Sequence, residues 1–482
     1  MVPHTLNCNN QQNIMGDLIE NTSTTQAAST TFGKPFLKEF LIDPAYHNLN
    51  QGSFGTYPRP IQHALRSYQD KAEARPDQFI RYTYHDHLRE SRQALADLLH
   101  APLSTIVLVP NATTGINTVL RNLTWNSDGL DEVLYFTTVY GSCGKTIDYI
   151  VDTHPGLVST RAITLTYPLE DEEIVALFRE SVATSNKEGK RPRICLFDTV
   201  SSLPGVRFPF EAMVAACREL GVTSLVDGAQ GVGMLPLDLS ALDPDYFVSN
   251  CHKWLHVPRS CAVFYVPERN QHHMVSTVPT SHGYVPRSGG PRFNPLPVSK
   301  DSAFVMNFGF VGTLDNSPYL CVKDAIEWRK SIGGEDKIIE YIWTLAKEGG
   351  KKAADILGTF IMDNKAETMT KCGMVNVALP MVASEDAETP STGPDGTITV
   401  PQKEAVPIGQ WILETLVQEY QTFVAVFCHN GRWYTRLSAQ IYLEQEDFEW
   451  IAHTMKEICQ RVGKHEYKAK AEELARVAKE AK

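Results

Sequence analysis

A lysine and an aspartate follow two apolar runs in the middle of the chain. The run TSLVD ends at Asp227, and the run DYFVSN leads into Lys253 only 26 positions later. The link between the two runs (GVGMLPLDLSALDP) holds at most a short helix. Neighbouring parallel strands would therefore bring both side chains to the same edge of one sheet, where ligands of α/β proteins bind.

A carboxylate and an amine that converge in this way suit the chemistry of pyridoxal phosphate (PLP). The carboxylate would keep the pyridine nitrogen protonated, so that the ring acts as an electron sink. Lys253 would hold the cofactor as a Schiff base and later move protons at Cα. Desolvation beside a cationic ring would lower the pKa of this lysine. Taken alone, the pair is equally compatible with an unrelated aspartate and a solvated lysine.

A second motif could bind the phosphate of such a cofactor. The run TIVLVP is followed by Asn111-Ala112-Thr113-Thr114-Gly115 and then by the helical pattern INTVLRNL. A turn of small residues that opens a helix presents backbone N–H groups and the positive end of the helix dipole to an anion. Thr113 and Thr114 add hydroxyl donors. In isolation, a plain threonine N-cap is the commoner use of this pattern.

The elements that must position these residues alternate between Pro60 and Val266. Amphipathic stretches such as DHLRESRQALADLL are followed by the short apolar runs TIVLVP, EVLYFTTV, RICLFDTV, TSLVDGA, DYFVSN and CAVFYV. This alternation predicts an α/β domain with a mainly parallel sheet that is covered on both faces. After Ala325, long helices and a few strands, among them TFVAVF and RWYTRLS, predict a smaller α+β domain.

Composition and charge exclude several classes of function. A formal net charge of −11 argues against non-specific nucleic-acid binding. No apolar run approaches the roughly 20 residues that cross a bilayer, so we expect no membrane segment. The N-terminus has no basic region followed by an apolar core, and its first arginine is Arg59, which predicts a cytoplasmic protein.

The cysteines and histidines predict neither a metal site nor a disulfide framework. The ten cysteines include no CxxC pair, and several stand inside apolar runs, which is typical of free thiols in a reducing cytosol. His85-Asp86-His87 has no further ligand set beside it, and we interpret it as the start of a helix. We therefore expect no bound metal.

Several motifs in the same order resemble one known family. NATTGIN, DTVSSLPGVRFP, LVDGAQGVG and SNCHKW, followed by CAVFYV, are similar to the fold-type I, class V aminotransferase-like PLP enzymes. The resemblance runs from NLNQGS at residues 48–53 to RLSAQIYL, which is nearly the whole chain. It implies a large PLP-binding domain with a mainly parallel sheet and a smaller α+β domain.

The resemblance also implies how the chain is divided. We expect a disordered tail over residues 1–33 because this stretch is rich in Asn, Thr, Ser and Gln. Residues 34–60 would form an N-terminal segment of the small domain, and residues 61–324 the PLP-binding domain. Residues 325–482 would form the small domain, with a polar surface insertion at 383–402.

Around the cofactor, the resemblance assigns a role to each matching residue. Lys253 matches the Schiff-base lysine, and Asp227 matches the partner of the pyridine nitrogen. Gln230 matches the donor to the phenolic oxygen of the ring, and His252 is the usual neighbour of the lysine near the phosphate. Asn250 stands where the family often has serine or threonine, and its amide can still donate a hydrogen bond.

Further matching positions concern the phosphate and the face of the cofactor. Thr113 and Thr114, with Ala112 beside them, match phosphate-site positions. Tyr140 falls where the family stacks an aromatic ring or an imidazole on the cofactor, and Ser202 is expected at the cofactor as well.

The resemblance also implies a partner subunit and a substrate pocket. Gly312-Thr313 resembles the turn through which a partner subunit reaches the phosphate, which implies a homodimer with shared sites. Arg436 matches the arginine that grips a substrate α-carboxylate as a bidentate fork. Without this resemblance, an ordinary salt-bridge arginine would be the simpler reading. Five more residues are expected at the substrate: Asn50, Ser53, Phe54, His282 and Tyr284.

The reaction depends on the branch of the family. LNQGSFGTYP, TTVYGSCG and TSHGY resemble the isopenicillin-N-epimerase-like branch, and within it the carbon–sulfur lyases that cleave hercynylcysteine sulfoxide in ergothioneine biosynthesis. The substrate implied is a small amino acid with sulfur on Cβ. Lys253 would remove the Cα proton, and Tyr140 would either protonate the departing sulfenate or only stack on the cofactor.

Three other reactions of the family stay open at this point. An epimerase or racemase would use a second proton carrier on the opposite face of the cofactor, which Tyr140 could be. An aminotransferase would need a keto-acid acceptor. A cysteine desulfurase needs a mobile reactive cysteine, and Cys428, at the end of the apolar run TFVAVFC, is expected to be packed instead.

Overall fold

One sheet gathers the apolar runs of the first half of the chain. In the computed structural model, which describes residues 31–286, 292–297 and 300–480, this sheet has seven strands in the order β1-β7-β6-β5-β4-β2-β3. The strands are β1 Ile106–Val109, β2 Asp131–Phe136, β3 Val158–Ile163, β4 Arg191–Asp198, β5 Thr223–Asp227, β6 Tyr246–Asn250 and β7 Ala262–Tyr265.

The prediction of a mainly parallel sheet is confirmed. Strands β3, β2, β4, β5 and β6 pair in parallel, whereas β7 runs antiparallel to both of its neighbours, β6 and β1. The strand that sequence reasoning did not anticipate is β3 at the edge of the sheet. Only its end residues Val158 and Ile163 are buried, the four residues between them are partly or fully exposed, and the strand forms no continuous apolar run.

Helices connect the strands and continue to the end of the chain. The α-helices are α1 Gln51–Phe54, α2 Arg59–Ala74, α3 Pro76–Gln78, α4 Tyr84–Leu98, α5 Ala112–Asn122, α6 Gly141–Thr153, α7 Asp171–Lys187, α8 Phe210–Leu220, α9 Leu239–Leu242, α10 Cys251–Trp254, α11 Ala303–Gly309, α12 Ser317–Ser331, α13 Gly334–Leu357, α14 Ala405–Tyr420, α15 Gln445–Gly463 and α16 Lys468–Glu480. Short 3₁₀ or π segments span Lys34–Glu39, Phe79–Thr83, Leu103–Thr105, Glu268–His273 and Gln402–Glu404.

Alternating residues of the strands pack on opposite faces of the large sheet. Val107 and Val109 of β1 belong to a buried cluster that includes Ile116 of α5. Ile106 and Leu108 belong to a second buried cluster, which extends into the second half of the chain. Side chains of successive residues in a strand point to opposite faces, so this division shows that both faces are covered.

A second sheet lies in the C-terminal half of the chain. Its strands are β8 Met374–Ser384, β9 Ser391–Thr392, β10 Ile398–Pro401, β11 Ala425–His429 and β12 Arg432–Ser438, in the order β11-β12-β8-β10-β9. Helices α13 and α15 pack against β8. The segment 383–402 is more ordered than its polar composition suggests, because it contributes β9 and β10 to this sheet, with Ile398 and Val400 buried.

Residues Phe32–Lys482 form one compact unit, which contains both sheets. The boundary expected at residue 325 falls inside α12, and the division into two domains stays a proposal. Residues 1–30 of the expected disordered tail lie outside the described residues. In the described part of the chain, no helix is both long enough and apolar enough to cross a bilayer.

Candidate active site

Lys253 and Asp227 lie at the carboxyl ends of two neighbouring parallel strands. Asp227 is the last residue of β5, and Lys253 lies in the short helix α10 that directly follows β6. Burial and, to a smaller extent, the Arg436 guanidinium together lower the pKa of Lys253 to about 8, against the opposing effect of Asp227. The structure therefore brings the predicted lysine and aspartate together.

The backbone around Lys253 is fixed by the N-terminal helix α1. The Gln51 side-chain amide donates to the carbonyl oxygen of Lys253 over 2.6 Å. Gly55 packs so closely that a Cβ atom there would lie 1.8 Å from the carbonyl oxygen of His252. Its φ of +67° also lies in the left-handed region, so a glycine is required for two independent reasons.

Two donors hold the Asp227 carboxylate in place. The Ala229 N–H donates to Oδ1 over 2.9 Å, and the Cys143 thiol donates to Oδ2 over 3.4 Å. Burial raises the pKa of Asp227, while these two donors and Lys253 act in the opposite direction. Sequence reasoning missed Cys143, although it stands in the quoted stretch TTVYGSCG, because its contact with Asp227 depends on how α6 packs against the sheet.

The turn before α5 has the features of a phosphate-binding helix N-terminus. Asn111 caps the helix by accepting from the Thr114 N–H over 2.8 Å. The Thr113 N–H and hydroxyl have no partner among the described residues. The Ala112 N–H is already used, because it donates to Asn250 Oδ1 over 2.8 Å. Ala112 therefore offers no free backbone donor, whereas Asn250 keeps its amide N–H groups available.

Gln230 and His252 are both held near Lys253 by hydrogen bonds of their side chains. The Gln230 amide donates to the Gly52 carbonyl over 2.7 Å, and its oxygen accepts from the Trp254 indole over 2.7 Å. One N–H of Gln230 remains for a ligand. His252 Nδ1 lies 2.9 Å from the Cys261 carbonyl oxygen, and burial lowers its pKa to about 4, so its ring is neutral at pH 7.

Arg436 is a buried cation without a counter-charge. It lies on β12 with 2% of its surface exposed, and it forms no ion pair with a carboxylate in the described part of the chain. Nη1 donates to the Ser202 carbonyl over 2.7 Å, and Nη2 donates to Asn50 Oδ1 and Ser53 Oγ, both over 2.9 Å. Nε has no partner, and burial lowers the pKa to about 10.

An unpaired buried cation is costly unless it serves an anion. Arg329, which is also fully buried, forms an ion pair with Glu335. Arg436 has instead the three neutral oxygen acceptors of Ser202, Asn50 and Ser53. The structure thus brings together four of the residues predicted for the substrate or cofactor.

The remaining predicted residues divide into two groups. Tyr140 precedes α6, one turn from Cys143, and is 47% exposed, and Phe54 follows Ser53 and is 70% exposed. Both therefore present open aromatic surface beside the site. The other group is His282, Tyr284 and Thr313, for which the described residues show no contact with Lys253: His282 stacks on Phe310, and Thr313 is exposed and lines a cavity with Gln69 and Phe79.

Sequence reasoning also missed Asp198, the last residue of β4. It is buried and is the register partner of Asp227 on the adjacent strand. The signal was present in the sequence, because Asp198 closes the run RICLFD in the same way that Asp227 closes TSLVD. A search for the residue that ends each strand would have found it.

Comparison with known proteins decides the family. The profile of the aminotransferase class-V family matches residues 58–389. The chain belongs to this family. It is 39% identical over 455 residues to the L-cysteine desulfhydrase-like protein lolT1 of Epichloe uncinata, an alignment that covers 91% of this chain and 98% of that protein. It is 31% identical over 437 residues to the hercynylcysteine sulfoxide lyase of Schizosaccharomyces pombe, with 90% and 99% covered.

A solved structure shares the fold. A complex of the cystine C–S lyase C-DES with cysteine persulfide superposes with a TM-score of 0.64, at 19% identity, and the match covers 88% of this chain and 99% of that one. The predicted family and the PLP fold type I are thereby confirmed. The relatives place the chain among PLP-dependent carbon–sulfur lyases and cysteine desulfhydrases.

PLP is the cofactor of this family, and the residues of this chain fit it. Asp227 offers a buried carboxylate for a ring nitrogen. The Thr113 N–H and hydroxyl and the Asn250 amide offer donors for a phosphate. Lys253 offers an amine whose neutral form is accessible near neutral pH.

The lowered pKa of Lys253 predicts how PLP attachment depends on pH. Only the neutral amine reacts with an aldehyde, so the rate at which the cofactor-free protein binds PLP should rise with pH, with a midpoint near 8 instead of the ordinary 10.5. Stopped-flow absorbance over pH 6–11 measures this rate. The Lys253→Ala variant serves as the control for binding without attachment. A midpoint at or above about 10 would contradict the lowered pKa.

Proposed function

We propose that this protein is a PLP-dependent lyase that breaks the Cβ–S bond of hercynylcysteine sulfoxide by β-elimination. The observation that carries the proposal is the unpaired guanidinium of Arg436 in the same buried site as Lys253 and Asp227. Such a site suits an α-amino acid, whose carboxylate would supply the missing counter-charge. The carbon–sulfur lyases among the relatives support the choice of bond.

The roles of the side chains follow from their positions. Arg436 binds the substrate carboxylate, and Asn50, Ser53 and Ser202 hold the guanidinium in place. Bound PLP supplies an electron sink for the electrons that Cα releases. Lys253 Nζ, in its neutral form, removes the proton from Cα, while the Asp227 carboxylate keeps its negative charge beside the ring nitrogen.

The bond that breaks is the one between Cβ and sulfur. The electron pair leaves with the sulfur, and a proton converts the sulfenate into a sulfenic acid. The remaining aminoacrylate takes up water and yields pyruvate and ammonia. Two molecules of a thiol then reduce the sulfenic acid to ergothioneine, with release of their disulfide and of water. Tyr140 is our candidate for the proton donor. If the Tyr140→Phe variant had an unchanged turnover number, Tyr140 would only stack on the cofactor.

The bulky end of this substrate carries a quaternary ammonium, which favours aromatic faces. Phe54 and Tyr140 are exposed at the site and can provide such faces. His282 and Tyr284, which are both exposed on a loop, stay candidates for this end of the substrate.

Free L-cysteine is the second candidate substrate. It is favoured by the relative at 39% identity, which is named as L-cysteine desulfhydrase-like. A cysteine desulfurase is disfavoured by Cys428. This residue is half-buried in β11, and burial raises the pKa of its thiol, which disfavours the thiolate that such an enzyme needs.

We further propose a homodimer with shared sites and a cytoplasmic location. Large apolar side chains are exposed beside Thr313: Leu314 is its neighbour, and Val278 lines a cavity together with Leu314. Such a surface is typical of one that a second subunit covers. The described cysteines are all free thiols, which suits a reducing compartment. A monomer in sedimentation velocity at micromolar concentration, or retention in an oxidising organelle, would contradict these proposals.

Substrate choice can be tested by product analysis. Purified PLP-loaded protein is incubated with hercynylcysteine sulfoxide or with L-cysteine, and pyruvate is assayed. We expect kcat/KM to be higher for the sulfoxide by about 30-fold, which corresponds to one desolvated cation–π contact. Lys253→Ala is the inactive control. A preference for L-cysteine would identify a desulfhydrase, and an amino acid of inverted configuration without pyruvate would identify an epimerase.

Replacement of Arg436 tests the binding of the carboxylate. Arg436→Met should lower kcat/KM by about 100-fold or more, because the substrate carboxylate loses a bidentate partner. The melting temperature should fall less than it would on replacement of an ion-paired arginine, because this substitution leaves no carboxylate without its partner. Arg259→Met, at an exposed arginine that donates to the Gly55 carbonyl, is the matched control. Equal kcat/KM in both variants would contradict the assignment.

A further inference from the structure

Asp198 and Asp227 form a pair of buried acids, and of the two only Asp227 has a role in the proposed function. Asp198 is 8% exposed and Asp227 is 3% exposed. The two residues are register partners at the carboxyl ends of the parallel strands β4 and β5. Register partners in a sheet project to the same face, and neighbouring strands lie about 4.8 Å apart. The two carboxyl groups therefore share one small volume of the site.

The two carboxyl groups differ in their hydrogen-bond partners. Asp227 accepts from the Ala229 N–H and from the Cys143 thiol. The Asp198 carboxyl accepts no hydrogen bond and forms no ion pair within the part of the chain that the structure describes. Hydrogen bonds to a charged carboxylate favour its ionised form, so the negative charge is more stable on Asp227.

The charges around the pair are too few to stabilise two carboxylates. The groups that act on the two carboxyls from neighbouring elements are Lys253 from α10, the Cys143 thiol from α6 and the Tyr167 phenol from the segment after β3. Lys253 is the one cation that the chain itself supplies among them, and it must be neutral to act as a base. The protonated ring nitrogen of bound PLP would add one positive charge, which Asp227 alone would balance. Like charges at this spacing in a buried site cannot both be ionised without a large cost.

We propose that Asp198 is a protonated, neutral carboxylic acid. The Asp198–Asp227 pair then has a single negative charge, which lies on Asp227. Asp198 is then a positioning residue that acts through Lys253. A second carboxylate beside Lys253 would stabilise its ammonium form, whereas a neutral acid does not. This inference rests on the proposed roles of Lys253 and Asp227 at the cofactor. Burial and the proximity of Asp227 both raise the pKa of Asp198, in agreement with it.

Infrared spectroscopy reads the protonation state directly. The PLP-loaded protein in D₂O at pH 7 should show a carbonyl band of a protonated carboxylic acid that is absent from Asp198→Asn. The matched control is Asp131→Asn, at a buried aspartate that is ion-paired with Arg191 and Arg193, and this variant should retain the band. A band that survives in Asp198→Asn would overturn the inference. Should Asp198→Asn not fold, Asp198→Glu should shift the band instead of removing it, and an unshifted band would overturn the inference equally.

The pH dependence of the cofactor spectrum gives a second readout. Asparagine is a neutral replacement of similar shape, so Asp198→Asn should leave the midpoint pH of the visible absorption of bound PLP within about 0.3 units. If Asp198 were ionised in the native protein, its replacement would remove a negative charge and lower this midpoint by about one unit or more. That result would overturn the inference.

Neither measurement requires turnover of a substrate, so the two proposals fail independently. A protein that shows the carboxylic-acid band but releases no pyruvate contradicts only the lyase proposal. A protein that releases pyruvate but shows no loss of the band in Asp198→Asn contradicts only the assignment of Asp198.

Discussion

The desolvation of Lys253 is the constraint on which the site depends. A lysine in water is protonated at neutral pH and is neither a nucleophile nor a base. In this protein the surrounding chain excludes water from the amine, and the nearby Arg436 guanidinium adds an unfavourable charge, so that the pKa falls to about 8. Every other charged group of the site has to be compatible with this neutral form. The need for a neutral Lys253 explains why Asp227 is the single carboxylate of the site. It also explains why Arg436 has no ion pair in the described structure.

A short N-terminal segment makes this arrangement rigid. Residues 50–55 contact three functional regions at once. Asn50 and Ser53 bind Arg436, Gln51 binds the Lys253 carbonyl, and Gly52 accepts from Gln230. Because α1 has only four residues, a shift of one contact moves the others. Arg436 and Lys253 are therefore mechanically linked through one turn of chain, although Lys253 follows a strand of the large sheet and Arg436 lies on the second sheet.

Much of this could be predicted from the sequence. The apolar runs predicted six strands of the large sheet, and the strand-end rule located Asp227 and Lys253, since a buried parallel strand is read directly from continuous apolar residues. The rule was not applied to RICLFD, and Asp198 was missed. Strand β3 could not be found by the same signal, because its exposed alternate residues break the apolar run.

Contacts between distant segments explain the remaining differences. The Cys143 thiol and the occupied N–H of Ala112 depend on how α6 and α5 pack, which no local pattern encodes. The same holds for His282, whose motif resembled that of the branch and whose ring stacks on Phe310. A motif predicts the residue type at a position, whereas the side-chain environment is set by tertiary packing.

The link between α1, Lys253 and Arg436 also has a consequence for the biosynthesis of the protein. The bonds of Gln51 to Lys253 and of Asn50 to Arg436 span 202 and 386 positions of sequence. During translation, residues 50–55 are made early, whereas their partner Arg436 is made near the end of the chain. The large sheet can form on the ribosome, but Arg436 reaches its partners Asn50 and Ser53 only after β12 is released. The contacts that join α1, Lys253 and Arg436 are therefore complete only when synthesis is almost finished.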